Sequence, residues 1–312
     1  MVLQVPRWNP GAPLQPLRLD WLAAAGVEVA MLRLDLLDPL ISGNKWFKLL
    51  PHLQAAEQAG AEGIISLGGA HSNHLHALAA AGQRFGFATV GLLRGEPQDN
   101  PTQRDLQAFG MHLHWVGYAG YRARHRADFW VPWMERYPQL HPVPEGGGGL
   151  AAAQACMSIA GMAQAQLASL GWSDHDGWWL AAGTGTTLAG LVLAEAGQRW
   201  VYGALAVPPG DGVEVNLSAL LREAGRADSG YKLVPAARGG FARTDAELLR
   251  FVHNSEAQSG VPLEPVYTGK ALLALRGEVE AGYFARGSRL LFVHTGGLQG
   301  RRALAADLQS QA

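Results

Sequence analysis

Apolar and polar positions along this chain alternate between two kinds of pattern. Short β-like apolar runs occupy 63–69, 89–94, 112–117, 140–144, 178–183, 201–207, 231–235 and 290–295. Longer helical patterns lie near 44–59, 73–85, 101–109, 122–136, 150–170, 186–198, 213–225, 244–258, 270–282 and 299–309. Strands alternating with helices predict parallel sheets with both faces covered, an α/β architecture. Ligands in such folds bind beyond the carboxyl ends of the strands, where glycine-rich turns feed helix N-termini. No internal repeat or low-complexity linker interrupts the pattern.

Three turns of that kind stand out. The first, Leu67-Gly68-Gly69-Ala70-His71-Ser72-Asn73-His74, ends a strand in two glycines and offers Ser72 or Asn73 as a helix cap. Free amides at that helix start suit a substrate carboxylate. His71, His74 and His76 lack a partner motif and do not share one helical face, so no metal is expected there. The second turn, Gly183-Thr184-Gly185-Thr186-Thr187, has the small residues and hydroxyls of a phosphate cradle. No lysine follows the glycines, so it is not a P-loop. Leu188 replaces the third glycine of a dinucleotide fingerprint, and the run 201–207 ends without an acid for a ribose. A single phosphate is the expected anion; a merely tight strand-to-helix turn is the competing reading. The third turn is Phe292-Val293-His294-Thr295-Gly296-Gly297, and upstream of it Pro265-Val266-Tyr267-Thr268-Gly269-Lys270 enters another helix.

With 312 residues, 48% of them hydrophobic and 16% charged, the chain can bury a large core as one big domain or two. A formal net charge of −1 argues against nucleic acid as a partner. The one basic cluster, Arg122, Arg124, His125 and Arg126, reads as a solvated helix face. Cys156 is the only cysteine, which excludes an intramolecular disulfide and makes a reducing cytoplasm the default. The first 20 residues lack the features of a signal peptide. The uncharged stretch 146–171 opens with four glycines and carries several glutamines and serines. It reads as a small-residue helix inside a globular fold, not a membrane span.

Lysine usage adds the candidate chemistry. The chain has four lysines against 21 arginines, and two of them, Lys45 and Lys48, follow a Gly43-Asn44 pair. Arginine carries surface charge equally well but cannot form a Schiff base. Ser42 and Asn44 are candidate caps, Gly43 permits a tight turn, and 46–50 opens an apolar helical face. Lys45 in the first turn would sit at the positive end of the helix dipole, with Lys48 adding a second positive charge. Both effects favour the neutral amine that condenses with an aldehyde. Alone, these residues also fit an ordinary helix start with two solvated lysines.

A lysine, a carboxylate site, a monophosphate cradle and hydroxyl donors at strand ends are the parts that pyridoxal 5'-phosphate requires. The order of these motifs, from Gly43-Asn44-Lys45 through Gly69 to His74, Gly183 to Thr187 and Pro265 to Lys270, ending at His294-Thr295-Gly296-Gly297, covers nearly the whole chain. In that order the chain resembles the 1-aminocyclopropane-1-carboxylate deaminase/D-cysteine desulfhydrase family of fold-type II pyridoxal-phosphate enzymes. The resemblance implies a tryptophan synthase β-like fold: two three-layer αβα domains with mainly parallel twisted sheets. It also implies a larger domain from 1–48 and 156–312, a smaller one inserted at 49–155, and a homodimer. Lys45 would carry the Schiff base and move the substrate's α-proton. Ser72, Asn73 and His74 would hold the carboxylate of a small amino-acid substrate, with Asn73 also bonding the cofactor's phenolic oxygen. Gly183, Thr184, Gly185, Thr186 and Thr187 would bind the phosphate. Tyr267 would face the substrate, and Thr295, with Thr268 as the alternative, would contact the pyridine nitrogen.

The sequence departs from the resemblance in two places. The deaminase branch has a glutamate after the tyrosine, where this chain has Thr268, and the loop at Arg238-Gly239-Gly240-Phe241-Ala242 places Phe241 where a second tyrosine is expected. A hydroxyl beside the pyridine nitrogen suits β-elimination better than chemistry that needs a deep electron sink. The expected activity is therefore a D-cysteine desulfhydrase-like lyase, releasing a 2-oxo acid, ammonia and a thiol or sulfide. Its rivals are ring-opening deamination, a racemase or dehydratase on the same scaffold, and a cofactor-binding protein without catalysis.

Overall fold

The structure is a computed structural model that describes residues 2–240 and 242–302. Among these the chain forms strands β1 (Leu14–Pro16), β2 (Glu28–Arg33), β3 (Gly63–Gly68), β4 (Ala88–Leu93) and β5 (His112–Trp115). The later strands are β6 (Leu140–Val143), β7 (Gly177–Ala182), β8 (Trp200–Leu205), β9 (Tyr231–Pro235) and β10 (Arg289–His294). They build a six-stranded sheet in the order β1-β2-β10-β7-β8-β9 and a four-stranded sheet in the order β5-β4-β3-β6. Every pairing is parallel except β1 with β2.

Side-chain alternation explains why both faces of each sheet are covered. In the six-stranded sheet Leu32, Trp178, Leu180, Leu291 and Val293 enter one core. Their neighbours Met31, Trp179, Leu290 and Phe292 enter the other. The four-stranded sheet divides likewise, Ile64 and Leu93 against Ile65, Leu67, Val90 and Leu92. Strands buried on two faces read as unbroken apolar runs, which is why all eight expected runs became strands within two residues of their expected bounds. Strands β1 and β2 were not expected. The first has only three residues, and the second has no glycine at its carboxyl end and finishes in Arg33, whose charge is buried against Asp35 at 2.6 Å.

Two expected helices are interrupted. The 122–136 pattern resolves into Gly117–Arg122, a 3-10 turn at Ala123–His125, and Val131–Arg136, which restarts with Pro132 in its first turn. The 150–170 pattern becomes Leu150–Cys156, Ser158–Gln164 and a 3-10 turn at Leu167–Leu170. The expected 299–309 helix runs beyond residue 302, outside the described residues. None of the described helices is long and apolar enough to cross a membrane.

The Lys45–Gln58 helix joins the two halves. Its Phe47 packs into a core of the six-stranded sheet, whereas Trp46, Leu49 and Leu53 pack with the four-stranded sheet. Leu3 and Ile41 join the latter core too, so parts of the 1–48 segment expected in the larger domain lie against the smaller sheet. That placement sets the start of the helix, and Lys45 with it, between the sheets.

Candidate active site between the two sheets

The lysine turn is pinned to the end of β10 by backbone contact. Gly43 has φ +75, and a Cβ there would lie 2.0 Å from the Thr295 carbonyl oxygen. Gly296 is also crowded from the other side: its Cβ would lie 2.7 Å from the Gly43 Cα. Both positions therefore require glycine. Lys45 then begins the helix, and its Nζ donates to Asn44 Oδ1 at 2.6 Å. Asn44 does not cap the helix with its side chain; its Nδ2 donates to Thr187 Oγ1 at 2.8 Å. Burial lowers the Lys45 ammonium to about 7, with the positive charge of Lys48 as the second cause. Lys48 is lowered to about 8, again by burial. Desolvation leads the shift that the sequence reading assigned to the dipole and the neighbouring charge.

The Gly183–Thr187 turn faces this lysine pair. Gly185, with φ +79, precedes the Thr186–Glu195 helix. Lys48 Nζ donates to Thr184 Oγ1 at 3.3 Å, and Thr184 and Thr186 share a hydroxyl contact of 3.2 Å. Thr187 Oγ1 accepts from Asn44, and the Cys156 thiol lies 3.9 Å away. Burial pushes that thiol up to about 11. The glycine loop after β6 covers the group: a Cβ on Gly146 would lie 3.6 Å from Lys48 Nζ.

From the smaller sheet comes the Asn73–Phe85 helix, capped by Ser72, whose Oγ accepts from Leu75 N–H at 3.2 Å. Asn73 Oδ1 accepts from Gln299 Nε2 at 2.6 Å. The imidazole of His74 behaves otherwise than expected. Ser66 Oγ donates to the Val143 carbonyl at 2.9 Å, so its 2.8 Å contact with His74 Nε2 requires the imidazole N–H to donate. That leaves His74 Nδ1 a buried acceptor without a partner among the described residues. The ring is neutral, held well below its usual range by burial, and engaged with β3. The His74 side chain is thus turned to β3, while its main-chain N–H lies in the first turn of the helix.

Tyr267 lies in the Pro265–Gly269 π-turn against Gly183, where a Cβ would come within 3.0 Å of Tyr267 Cε1. Burial and then the charge of Glu264 raise its hydroxyl well above the usual tyrosine value. Thr268 is fully buried, and its hydroxyl accepts from Glu264 N–H at 2.8 Å and donates to the Glu264 carbonyl at 3.0 Å. The Thr268 hydroxyl thus donates and accepts within its own turn. Thr295, just past the end of β10, is 8% exposed. Phe241 lies outside the described residues.

Sequence reasoning missed Glu264. It is 2% exposed, and its two oxygens accept from Val266 and Tyr267 N–H at 2.7 and 2.8 Å. The available signal was an acid directly before Pro265, where a helical turn begins. It also missed Glu145, which accepts from Arg124 Nε at 2.7 Å and from the Tyr121 hydroxyl at the end of β6.

Against known proteins, a family model described as "Pyridoxal-phosphate dependent enzyme" matches residues 9–296. The Arabidopsis thaliana bifunctional D-cysteine desulfhydrase/1-aminocyclopropane-1-carboxylate deaminase is 27% identical, over 94% of this chain and 76% of that protein. The 1-aminocyclopropane-1-carboxylate deaminase of Burkholderia lata is 26% identical, over 92% of this chain and 91% of its own length. A solved structure of an ACC deaminase homologue superposes with a TM-score of 0.84 at 25% identity, covering 100% of this chain and 96% of that one. This chain belongs to the pyridoxal-phosphate-dependent enzymes, in the 1-aminocyclopropane-1-carboxylate deaminase/D-cysteine desulfhydrase family.

The donor set of this family member fits pyridoxal 5'-phosphate. Lys45 is a buried amine that is half neutral near pH 7, as an aldehyde partner must be. Around Thr184 and Thr186 the chain gathers hydroxyls, the amides of a helix start and one cation, Lys48, as a phosphate requires. When bound, the cofactor supplies an electron sink for the carbanion left by α-proton removal.

Proposed function

We propose that this pyridoxal-phosphate enzyme is a lyase that eliminates the β-substituent of a small D-amino acid, as a D-cysteine desulfhydrase does, yielding a 2-oxo acid, ammonia and sulfide. The observation that carries this reading is the Tyr267-Thr268 step. No carboxylate follows the tyrosine, and the Thr268 hydroxyl is bonded to the Glu264 main chain. Thr295 would then be the hydroxyl facing the ring nitrogen, and a hydroxyl suits elimination over ring opening. In this scheme Lys45 Nζ bonds the aldehyde and carries the α-proton, a role its titration near neutrality favours. The amides following Ser72 and the Asn73 side chain orient the carboxylate, and Tyr267 closes the substrate side. Lys48 and Gly183 to Thr187 hold the phosphate. We extend the proposal to a homodimer in a reducing cytoplasm.

The names of the two relatives favour one second reading, 1-aminocyclopropane-1-carboxylate deamination. The two are separated by assaying 2-oxo acid release from D-cysteine, D-serine, L-cysteine and the cyclopropane amino acid. Sulfide and pyruvate from D-cysteine, at least about tenfold faster than any product from the cyclopropane substrate, are expected. The reverse ratio would replace the first reading by the second.

A further inference from the structure

The Tyr267 turn is held by an unusual group. Helix and turn starts are capped most effectively by short side chains in contact with water, and a glutamate removed from water carries a desolvation penalty. Glu264 nevertheless gives both of its oxygens to the first two amides of the turn, at 2.7 and 2.8 Å, from a position only 2% exposed. Thr268 closes the same turn from behind on the Glu264 backbone, and Gly269 N–H donates to the Glu264 carbonyl at 2.8 Å. On the cleft side the turn delivers Tyr267 onto Gly183, at the head of the Gly183–Thr187 loop. On the other side the Glu264 stem lines the wall that carries Asn73. A Cβ on Gly297 would lie 3.8 Å from Glu264 Cγ and 2.8 Å from Asn73 Nδ2.

We propose that Glu264 is a positioning residue of this active site, whose carboxylate fixes the Pro265–Gly269 turn so that Tyr267 is set against the Gly183–Thr187 loop. The inference rests on the reading of that loop and Lys45 as the cofactor site. An unionised carboxyl cannot accept equally at both oxygens, so protonation of Glu264 would release one of the two turn amides. The charged groups that act on it are Lys270 and Arg301, which draw it down. Its own field acts on Lys45 and on Tyr267. Burial outweighs the cations and the two amides and pushes Glu264 up to about 7. The setting of Tyr267 would therefore respond to pH around neutrality.

The test compares wild type, Glu264→Gln, Tyr267→Phe and the double variant as cofactor-loaded enzymes. Readouts are cofactor content, the pH titration of the cofactor's visible band, and kcat and KM for the best amino-acid substrate. Glu264→Gln keeps one acceptor oxygen and the same shape. It is expected to retain cofactor, to displace the titration of the band by half a pH unit or more, and to lower kcat about tenfold with KM little changed. In the Tyr267→Phe background the same substitution should cost less than about threefold, because its effect passes through the tyrosine. An undiminished loss in that background would overturn the proposal, as would wild-type kcat and an unmoved titration in Glu264→Gln. A wild type that forms no visible band with added pyridoxal 5'-phosphate would overturn both this proposal and the site reading beneath it.

Discussion

Lys45 and Lys48 are both depressed by burial, and mutation separates them. Burial dominates for both, and for Lys45 alone the like charge of its neighbour Lys48 is the second cause. Lys45 is lowered to about 7, so its amine is mostly protonated below that pH and mostly free above it. When pyridoxal 5'-phosphate is mixed with the apo-protein, the visible band should form about tenfold more slowly per unit of pH below 7 and level off above. Rates independent of pH between 5.5 and 8 would remove Lys45 from this role. Lys48→Gln should move that inflection upward only in part, since burial of Lys45 persists. It should also weaken cofactor affinity about tenfold through loss of the cation beside Thr184. Lys45→Ala should form no band at all. These lysines were legible because the chain uses lysine so sparingly. Glu264 was not, because its burial is decided by Gly297 and Gly300, some thirty residues further along and close against it only in three dimensions. The direction of the His74 ring likewise depends on Ser66, a strand residue with no local mark of that duty.

Elements with punctuation were the readable ones. A glycine pair at the end of an apolar run marked β3, β7 and β10, whereas β1 and β2 carried no such mark and escaped notice. Even where a glycine was noticed, its reason was only half visible. Gly43 was legible as a tight turn, but its strictest constraint is the Thr295 carbonyl from another element. Two glycine-to-alanine substitutions distinguish these demands. Gly60 has φ +68 and nothing near its missing Cβ, so Gly60→Ala should cost only about 1 kcal/mol of backbone strain. Gly43→Ala adds a backbone collision to the same strain and should cost upwards of about 3 kcal/mol in denaturant unfolding. It should also impair cofactor loading, because the lysine turn and the β10 turn separate. Equal costs at the two positions would mean that the interlocked turns relax freely.

Across the whole molecule, the site is assembled from pieces that the chain order keeps far apart. Ser72 and Asn73 follow β3 in one sheet, while Gly183 to Thr187 and Thr295 follow β7 and β10 in the other. Among the described helices, only Lys45–Gln58 is packed into cores on both sides. The alternation of strands and helices announced the α/β class, but the neighbours of each strand were not readable from it. β2 inserts between β1 and β10 because buried faces match across hundreds of residues, and periodicity carries no such information. A ligand that bonds groups from both sheets binds the folded state alone and must stabilise it. At a cofactor concentration about a hundredfold above its Kd the gain is roughly 2.7 kcal/mol. Unfolding entropy of about 2.1 cal/mol/K per residue turns that gain into a rise in Tm of about 4 °C for a chain of this length. Calorimetry should record the rise as a shift of one cooperative transition, since loosening the bridging helix exposes both cores together. Lys45→Ala should show a smaller rise at the same cofactor concentration, retaining only what the phosphate contacts contribute. Two transitions, of which the cofactor moves one, would mean that the sheets unfold independently and that the helix does not couple them.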